Sequence, residues 1–208
     1  MVAKALKNVV ITDEVAAFDS ALTRDGGVYV SARAPPLLIH TPTVTLSSDL
    51  AENDDTATFA NLKVKASAAQ FFKDVEDAVL ALAIERKGSW FREDIPDEVI
   101  AQSLRSFIDE GMLRVRVADG IVAYDAAKAK VDLPAKGTKI RAVLELARIT
   151  FSKTQFGAVW NLKQVRLTEE STYLFDEEVV EGLAEEINDS ILAVDDGDQH
   201  DLADELAE

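Results

Sequence analysis

Cysteine is absent from this chain of 208 residues, which excludes a disulfide framework and any thiolate chemistry. Long apolar runs are absent as well, because none approaches the roughly 20 residues that a membrane-spanning helix requires. The first residues also lack the apolar core of a secretory signal. These absences predict an intracellular protein of a reducing compartment that makes no membrane contact.

Patterns that carry catalysis are equally scarce. The only two histidines, His40 and His200, lie in unrelated segments, and the sequence has no phosphate-binding glycine loop and no dinucleotide motif. The segment DDGD at 195–198 resembles a calcium loop only superficially, since the ligand spacing and the distal glutamate are missing. We therefore predict a protein that is not an enzyme and that holds no metal or cofactor.

Lysine and arginine are absent from residues 168–208, which contain 16 of the 38 Asp and Glu residues. The other 22 acids balance all 22 Lys and Arg in residues 1–167. Within that part, residues 128–167 contain nine bases and only two acids, Asp132 and Glu145. The sequence thus predicts a domain of residues 1–167 followed by an acidic tail of residues 168–208.

Two interpretations of the acidic tail remain open. It either only increases solubility, or it mimics nucleic acid by occupying the protein's own basic groove or by binding basic patches on replication proteins. Apolar residues recur every four positions from Val179 to Ile191, which predicts a helix within the tail that suits a partner or a homodimer.

Short strands with alternating apolar residues dominate residues 28–167 and predict a mainly β fold. The best match is an OB-like small β-barrel with a two-helix insertion at about residues 67–110. Ser67–Gln70 reads as the capping box of the first helix, and the second is expected to end at Gly111. Asp119-Gly120 predicts a hairpin between two strands.

The candidate binding residues are cations and aromatic side chains of these strands. Six cations occupy the polar face of predicted strands, where they suit a phosphate backbone: Lys63, Lys65, Arg114, Arg116, Lys139 and Arg141. The predicted hairpin Lys139–Leu167 adds three cations and three aromatic residues: Arg148, Lys153, Lys163, Phe151, Phe156 and Trp160. Aromatic rings stack on unpaired bases, so the set predicts a site for single-stranded nucleic acid. Alternatively, the hairpin is amphipathic, with core aromatics and solvated charges.

Four motifs follow one another in residues 28–167. They are Thr41-Pro42 after a strand, Trp90-Phe91 after a helix, G-x-x-[VI]-x-A-x-[LV]-E-L-x-x-I-x-F at Gly137–Phe151, and F-G-x-x-W-x-L-x-Q-V at Phe156–Val165. This order resembles the single-stranded-DNA-binding proteins of nucleocytoplasmic large DNA viruses and, more distantly, the OB-fold single-stranded-DNA-binding proteins of podophages. The resemblance implies an OB fold, DNA binding, and an acidic tail that competes with DNA and recruits replication proteins.

Residues and resemblance together predict a sequence-independent single-stranded DNA-binding protein of replication or recombination, with RNA left open as a ligand. Its expected partners are single-stranded DNA, replication proteins that contact the tail, and a second copy of the chain. If the protein is viral, the expected location is the host cytoplasm, the nucleus or a viral factory. The alternative is a virion or scaffold protein that uses the barrel and the acidic helix for protein contacts only.

Overall fold

The computed structural model describes residues 3–50, 59–91 and 94–168, which belong to one unit of the chain, Met1–Glu169. The predicted acidic tail, its helix and the segment 195–198 lie outside the described residues. The elements in chain order are β1 (Lys4–Ala5), α1 (Ile11–Ala16), β2 (Thr23–Asp25), β3 (Val28–His40), β4 (Val44–Leu46), β5 (Phe59–Lys63), α2 (Ala66–Glu85), α3 (Lys87–Trp90), α4 (Asp97–Ser103), β6 (Ile108–Asp109), β7 (Met112–Tyr124), β8 (Lys130–Val131), β9 (Lys139–Phe151) and β10 (Phe156–Leu167).

Five of these strands close into a barrel. β4 pairs with β5, β5 with β7, β7 with β10, β10 with β9, and β9 returns to β4. The β7–β10 pair is parallel, whereas the other four pairs are antiparallel. This closed ring confirms the predicted OB-like barrel. β3 extends the sheet beyond β9, and β1 and β2 pair with β3.

The hairpin of β9 and β10 forms where the sequence alternation predicts it. The apolar residues of the first half of β9 face the interior with at most 1% exposure: Ile140, Ala142, Leu144 and Leu146. Lys139 and Arg141, in the alternate positions, are exposed. Because side chains of a strand point to opposite faces in turn, the polar parity of β9 becomes the outer surface of the barrel.

The predicted hairpin at Asp119-Gly120 is wrong, because both residues lie within the continuous strand β7. The chain continues in one direction from Met112 to Tyr124, and both halves of β7 pair in parallel with β10. Gly120 has a positive φ of 68°, so the Asp-Gly pair kinks the strand instead of reversing it. The pairing of both halves with β10 thus overrides the local turn signal.

The two predicted helices of the insertion are present as α2 and α4, with the short α3 between them. The predicted capping box is wrong, because α2 begins with Lys65 as its N-cap and no side chain caps it. The second helix ends at Ser103, before the predicted end at Gly111. Its continuation is prevented because Leu104 bridges to β10 and Ile108 pairs with β7.

α2 packs its apolar face against the core of the barrel. Phe72 is fully buried, and its ring lies 5.3 Å, edge to face, from the ring of Trp160 on β10. The same face buries Val75 and Val79 in the single core that the barrel and the helices share. Within the part of the chain that the structure describes, no helix has the length and apolar character to cross a membrane.

Glu14 of α1 joins the N-terminal segment to the sheet. Its carboxylate accepts hydrogen bonds from Lys4 Nζ at 2.7 Å and from Arg33 Nη2 of β3 at 2.6 Å. Burial raises the pKa of Glu14, but the hydrogen bonds from the two cations outweigh it, so the net pKa lies below the ordinary value of a glutamate. The ionised carboxylate is therefore the form that holds α1 against β3.

Candidate nucleic-acid interface

A groove of about 400 Å³ opens between β5, β7, β9, β10 and the loop of residues 104–107. Four arginines line it: Arg105, Arg114, Arg116 and Arg148. None of the lining residues that the structure describes is acidic. Although the whole chain has a net charge of −16, this part of its surface therefore attracts anions. We call it the arginine groove.

Phe59 is the exposed aromatic residue of the arginine groove. It begins β5 on the outer face, opposite Arg116 of β7, and 42% of its surface is exposed. The guanidinium carbon of Arg114 lies 4.4 Å from the centroid of the Phe59 ring. Such a cation–π contact holds the ring in place. The result is a fixed apolar surface beside positive charges, which suits a stacked base with its phosphate.

Arg116 and Asn161 face each other across β7 and β10 with unsatisfied polar atoms. Arg116 Nε and Asn161 Oδ1 are both buried, and neither has a hydrogen-bond partner among the described residues. A buried polar atom without a partner costs about 1–3 kcal/mol. The unpaired donor of Arg116 lies beside the arginine groove, which Arg116 lines, whereas Asn161 follows the last groove residue of β10, Trp160.

The loop that carries Arg105 is held from two sides. The backbone N–H of Arg105 donates to Phe156 O of β10 at 2.7 Å. On the other side, Glu76 of α2 accepts hydrogen bonds from Ser106 Oγ at 2.6 Å and from the N–H of Phe107 at 2.7 Å. Arg105 itself is exposed. Two elements far apart in sequence therefore place its side chain at the groove.

The close approach of the Arg105 backbone explains why the Phe156-Gly157 motif has a glycine at residue 157. A Cβ at this position would lie 2.8 Å from the carbonyl oxygen of Arg105, closer than real Cβ contacts allow. Because the neighbouring atom is backbone, the loop would have to move to accommodate a side chain. Glycine here permits the close approach of the Arg105 loop to β10.

Arg148 of β9 lies at the far side of the arginine groove, where it forms an ion pair with Asp25 of β2. The partner carboxylate is 56% exposed, so water screens this pair. Such a pair contributes little stability, and the guanidinium exchanges its carboxylate for a phosphate at small cost.

The three aromatic residues predicted to stack on bases belong to the core, which was the alternative interpretation. Phe151, Phe156 and Trp160 are 6%, 1% and 1% exposed. Phe151 and Phe156 stack on each other with a centroid distance of 5.7 Å, and Trp160 packs edge to face against α2. They occupy the inner parity of β9 and β10, so we assign them to the floor beneath the arginine groove and not to base stacking.

The predicted cations divide between two places. Arg114, Arg116 and Arg148 line the arginine groove, whereas Lys65 and Arg141 line a second cavity of about 1270 Å³, which we call the Arg141 cavity. The remaining four predicted cations line neither cavity: Lys63, Lys139, Lys153 and Lys163. Their assignment as binding residues stays a prediction.

Sequence reasoning missed Phe59 and Arg105. Phe59 lies on the same polar parity as Lys63, so its exposure was readable from the alternation of β5. Arg105 falls within the predicted second helix, because that helix was expected to continue to Gly111. No local pattern shows that it ends at Ser103.

Comparison with solved structures finds phage single-stranded DNA-binding proteins among the similar chains. No curated protein matches the chain. The single-stranded DNA-binding protein of bacteriophage Enc34 in complex with single-stranded DNA is 12% identical, with a TM-score of 0.44 over 74% of this chain and 98% of that chain. Its C-terminally truncated form is 13% identical, with a TM-score of 0.46 over 68% and 91% of the two chains. Gp2.5, a single-stranded DNA-binding protein of bacteriophage T7, is 12% identical, with a TM-score of 0.46 over 81% and 100%.

A match to a family model shows which protein family the chain belongs to. The family model matches residues 49–180, which include β5, the helices α2 to α4 and the β9–β10 hairpin. The chain therefore belongs to DUF5871, a family of unknown function.

Proposed function

We propose that the protein binds single-stranded DNA without sequence preference and that the strand lies in the arginine groove. One observation carries the proposal: the exposed ring of Phe59 lies under the guanidinium of Arg114 in a groove lined by three further arginines. Phosphates meet the arginines, and an unpaired base meets the ring. Because every base has a π face, this arrangement binds without reading sequence.

The proposal extends to the biological role predicted from the sequence. We place the protein in replication or recombination, as a non-enzymatic binding protein related to those of nucleocytoplasmic large DNA viruses. In this role the acidic tail competes with DNA for the groove and recruits replication proteins. Its support is the charge segregation, with 16 acids and no Lys or Arg in residues 168–208.

The first prediction tests the arginine groove. The double variant Arg114→Ala, Arg116→Ala should bind oligo-dT more weakly, and the dependence of log K on log salt should flatten by roughly one to two units. The reason is that each phosphate contact contributes about 0.7 to this slope on single strands. Fluorescence polarisation with labelled oligo-dT at several salt concentrations measures both quantities.

A matched control separates local contacts from net charge. Lys73 and Lys136 are exposed and line neither cavity, so Lys73→Ala with Lys136→Ala removes the same two charges elsewhere. This control should keep the affinity and slope of the unaltered protein. Absence of oligonucleotide binding by the unaltered protein would instead favour the virion or scaffold alternative. Equal binding by the groove variant and the control, with unchanged melting temperatures, would remove the groove as the site.

A further inference from the structure

The Arg141 cavity lies at the opposite end of β9 and β10 from the arginine groove. β9 contributes Arg141 and Val143 to it, whereas the groove takes Arg148 and Thr150 from the same strand. Five cations line the cavity: Lys7, Lys65, Lys128, Arg141 and Arg166. The one acid among its described lining residues, Asp74, accepts a hydrogen bond from Gln70. This cavity therefore also attracts anions.

Two arginines stand directly opposite each other in this cavity. Arg141 of β9 pairs in register with Arg166 of β10, and both side chains are exposed. Arg166 donates to Ala126 O at 2.6 Å, a neutral backbone acceptor, so this contact does not neutralise the guanidinium charge. Like charges in directly opposed positions destabilise a sheet. A bound phosphate between the two guanidinium groups would remove that cost.

Tyr124 adds an aromatic residue to the same row. It pairs in register with Arg166 across the parallel β7–β10 contact, is partly buried, and lines the cavity. The row Tyr124, Arg166, Arg141 thus places an aromatic ring beside two cations. The arginine groove contains the same combination of Phe59, Arg114 and Arg116.

A bulge in β10 keeps the two sites on one surface. Val159, which lines the groove, and Arg166, which lines the cavity, are seven residues apart, an odd separation that would place them on opposite faces of a regular strand. The register shifts between Leu162 and Gln164, so Lys163 is the extra residue and Arg166 returns to the outer face. The outer surface of β10 therefore runs from the last groove residue, Trp160, to the first cavity residue, Gln164, over about 13 Å.

The segment between the two sites carries no uncompensated negative charge among the described residues. Glu145 of β9 lies beside it, and its Oε2 accepts a hydrogen bond from Asn161 Nδ2 at 3.0 Å. Lys163 Nζ lies 3.7 Å from the same oxygen. A polyanion that follows β10 therefore meets Lys163 and Gln164 between the two basic sites, with the carboxylate already paired.

We propose that a single strand bound in the arginine groove continues along β10 and that its phosphates occupy a second site, the Arg141 cavity. The inference rests on the proposed function and adds to it a second set of contacts at the far end of the barrel. The groove alone holds a short oligonucleotide, and the cavity adds affinity only when the strand is long enough to span β10.

Oligonucleotide length separates the two sites. Oligo-dT of about 5 and about 15 nucleotides lies near the lower and upper ends of the footprints known for OB folds, about 4–16 nucleotides. The double variant Arg141→Ala, Arg166→Ala should bind the short oligonucleotide as the unaltered protein does. Its affinity for the long one should fall about tenfold at low salt, and the salt slope of the long one should flatten by about 1.4 for two lost phosphate contacts. Arg141→Lys with Arg166→Lys should retain most of the length-dependent gain, since it retains the charges.

Each outcome decides the proposal. An unchanged gain with length in Arg141→Ala, Arg166→Ala would overturn the second site while leaving the groove intact. Tighter binding of both oligonucleotides would also overturn it and would assign the cavity to the acidic tail. Failure of the unaltered protein to bind either oligonucleotide would overturn the proposed function and this inference with it. Lys73→Ala with Lys136→Ala serves again as the charge-matched control, and binding of the short oligonucleotide reports a folded barrel.

Discussion

Phe59 and Trp160 are both aromatic residues of barrel strands, but only Phe59 is exposed enough to contact a base. Phe59 is 42% exposed on the outer parity of β5, whereas Trp160 is 1% exposed on the inner parity of β10. An exposed ring that a cation holds in place is available to a base. A ring packed against Phe72 and Phe107 holds the core together instead.

This contrast predicts that Phe59→Ala mainly affects DNA binding, whereas Trp160→Ala mainly affects stability. Phe59→Ala should weaken oligo-dT binding by about 1–3 kcal/mol, as expected for the loss of one stacked base. It should lower the melting temperature far less than Trp160→Ala does, because 42% of the Phe59 surface is already exposed. Trp160→Ala should instead destabilise the fold by about 3–5 kcal/mol. Titration with labelled oligonucleotide and thermal unfolding measure both variants, and a Phe59→Ala protein that binds normally would remove the stacking role.

At the scale of elements, the Arg105 loop shows how α2 reaches the groove. Glu76 accepts hydrogen bonds from Ser106 and Phe107, while β10 fixes the loop from the other side. Glu76 itself lines neither cavity, so it acts as a positioning residue.

Glu76→Ala tests this positioning through the sign of its effect. Removing a negative charge near a polyanion should strengthen binding if charge alone matters. We expect weaker oligo-dT binding, by several-fold, because Arg105 loses its place when Ser106 and Phe107 lose their acceptor. In an Arg105→Ala background the same change should have no further effect on affinity, since the two residues act as one unit. Stronger binding by the single variant would contradict the positioning role.

The elements also show which parts of the fold were predictable. Ile140 and Arg141 fall on opposite faces of β9 as the alternation indicates, because a two-residue period needs only local information. Asp119-Gly120 was misread as a hairpin because the parallel pairing with β10, about 40 residues later, decides the path of β7. The position of Arg105 depends on contacts with α2 and β10, so no local pattern indicates it.

At the scale of the molecule, the net charge does not show how positive and negative residues are distributed along the chain. The chain has a net charge of −16, yet residues 1–167 contain equal numbers of acids and Lys or Arg. Four arginines line the arginine groove and five cations line the Arg141 cavity, where the described lining residues include one acid, Asp74. Local fields at these two sites, and not the total charge, govern attraction of a polyanion.

The acidic tail supplies the last prediction. Residues 168–208 contain 16 acids and no Lys or Arg, and they follow directly on the basic stretch of residues 128–167, so the tether gives them a high effective concentration near it. Truncation after Phe175 removes 14 of these acids and should tighten oligo-dT binding, with the larger gain at low salt, where attraction of the tail to the barrel is least screened. A full-length control in which the same acids are replaced by Asn and Gln should show the same gain, because the effect depends on charge and not on length. Titrating all three proteins at two salt concentrations measures it. A purely solubilising tail predicts lower solubility with unchanged affinity, so equal affinities at both salt concentrations would exclude competition between the tail and DNA.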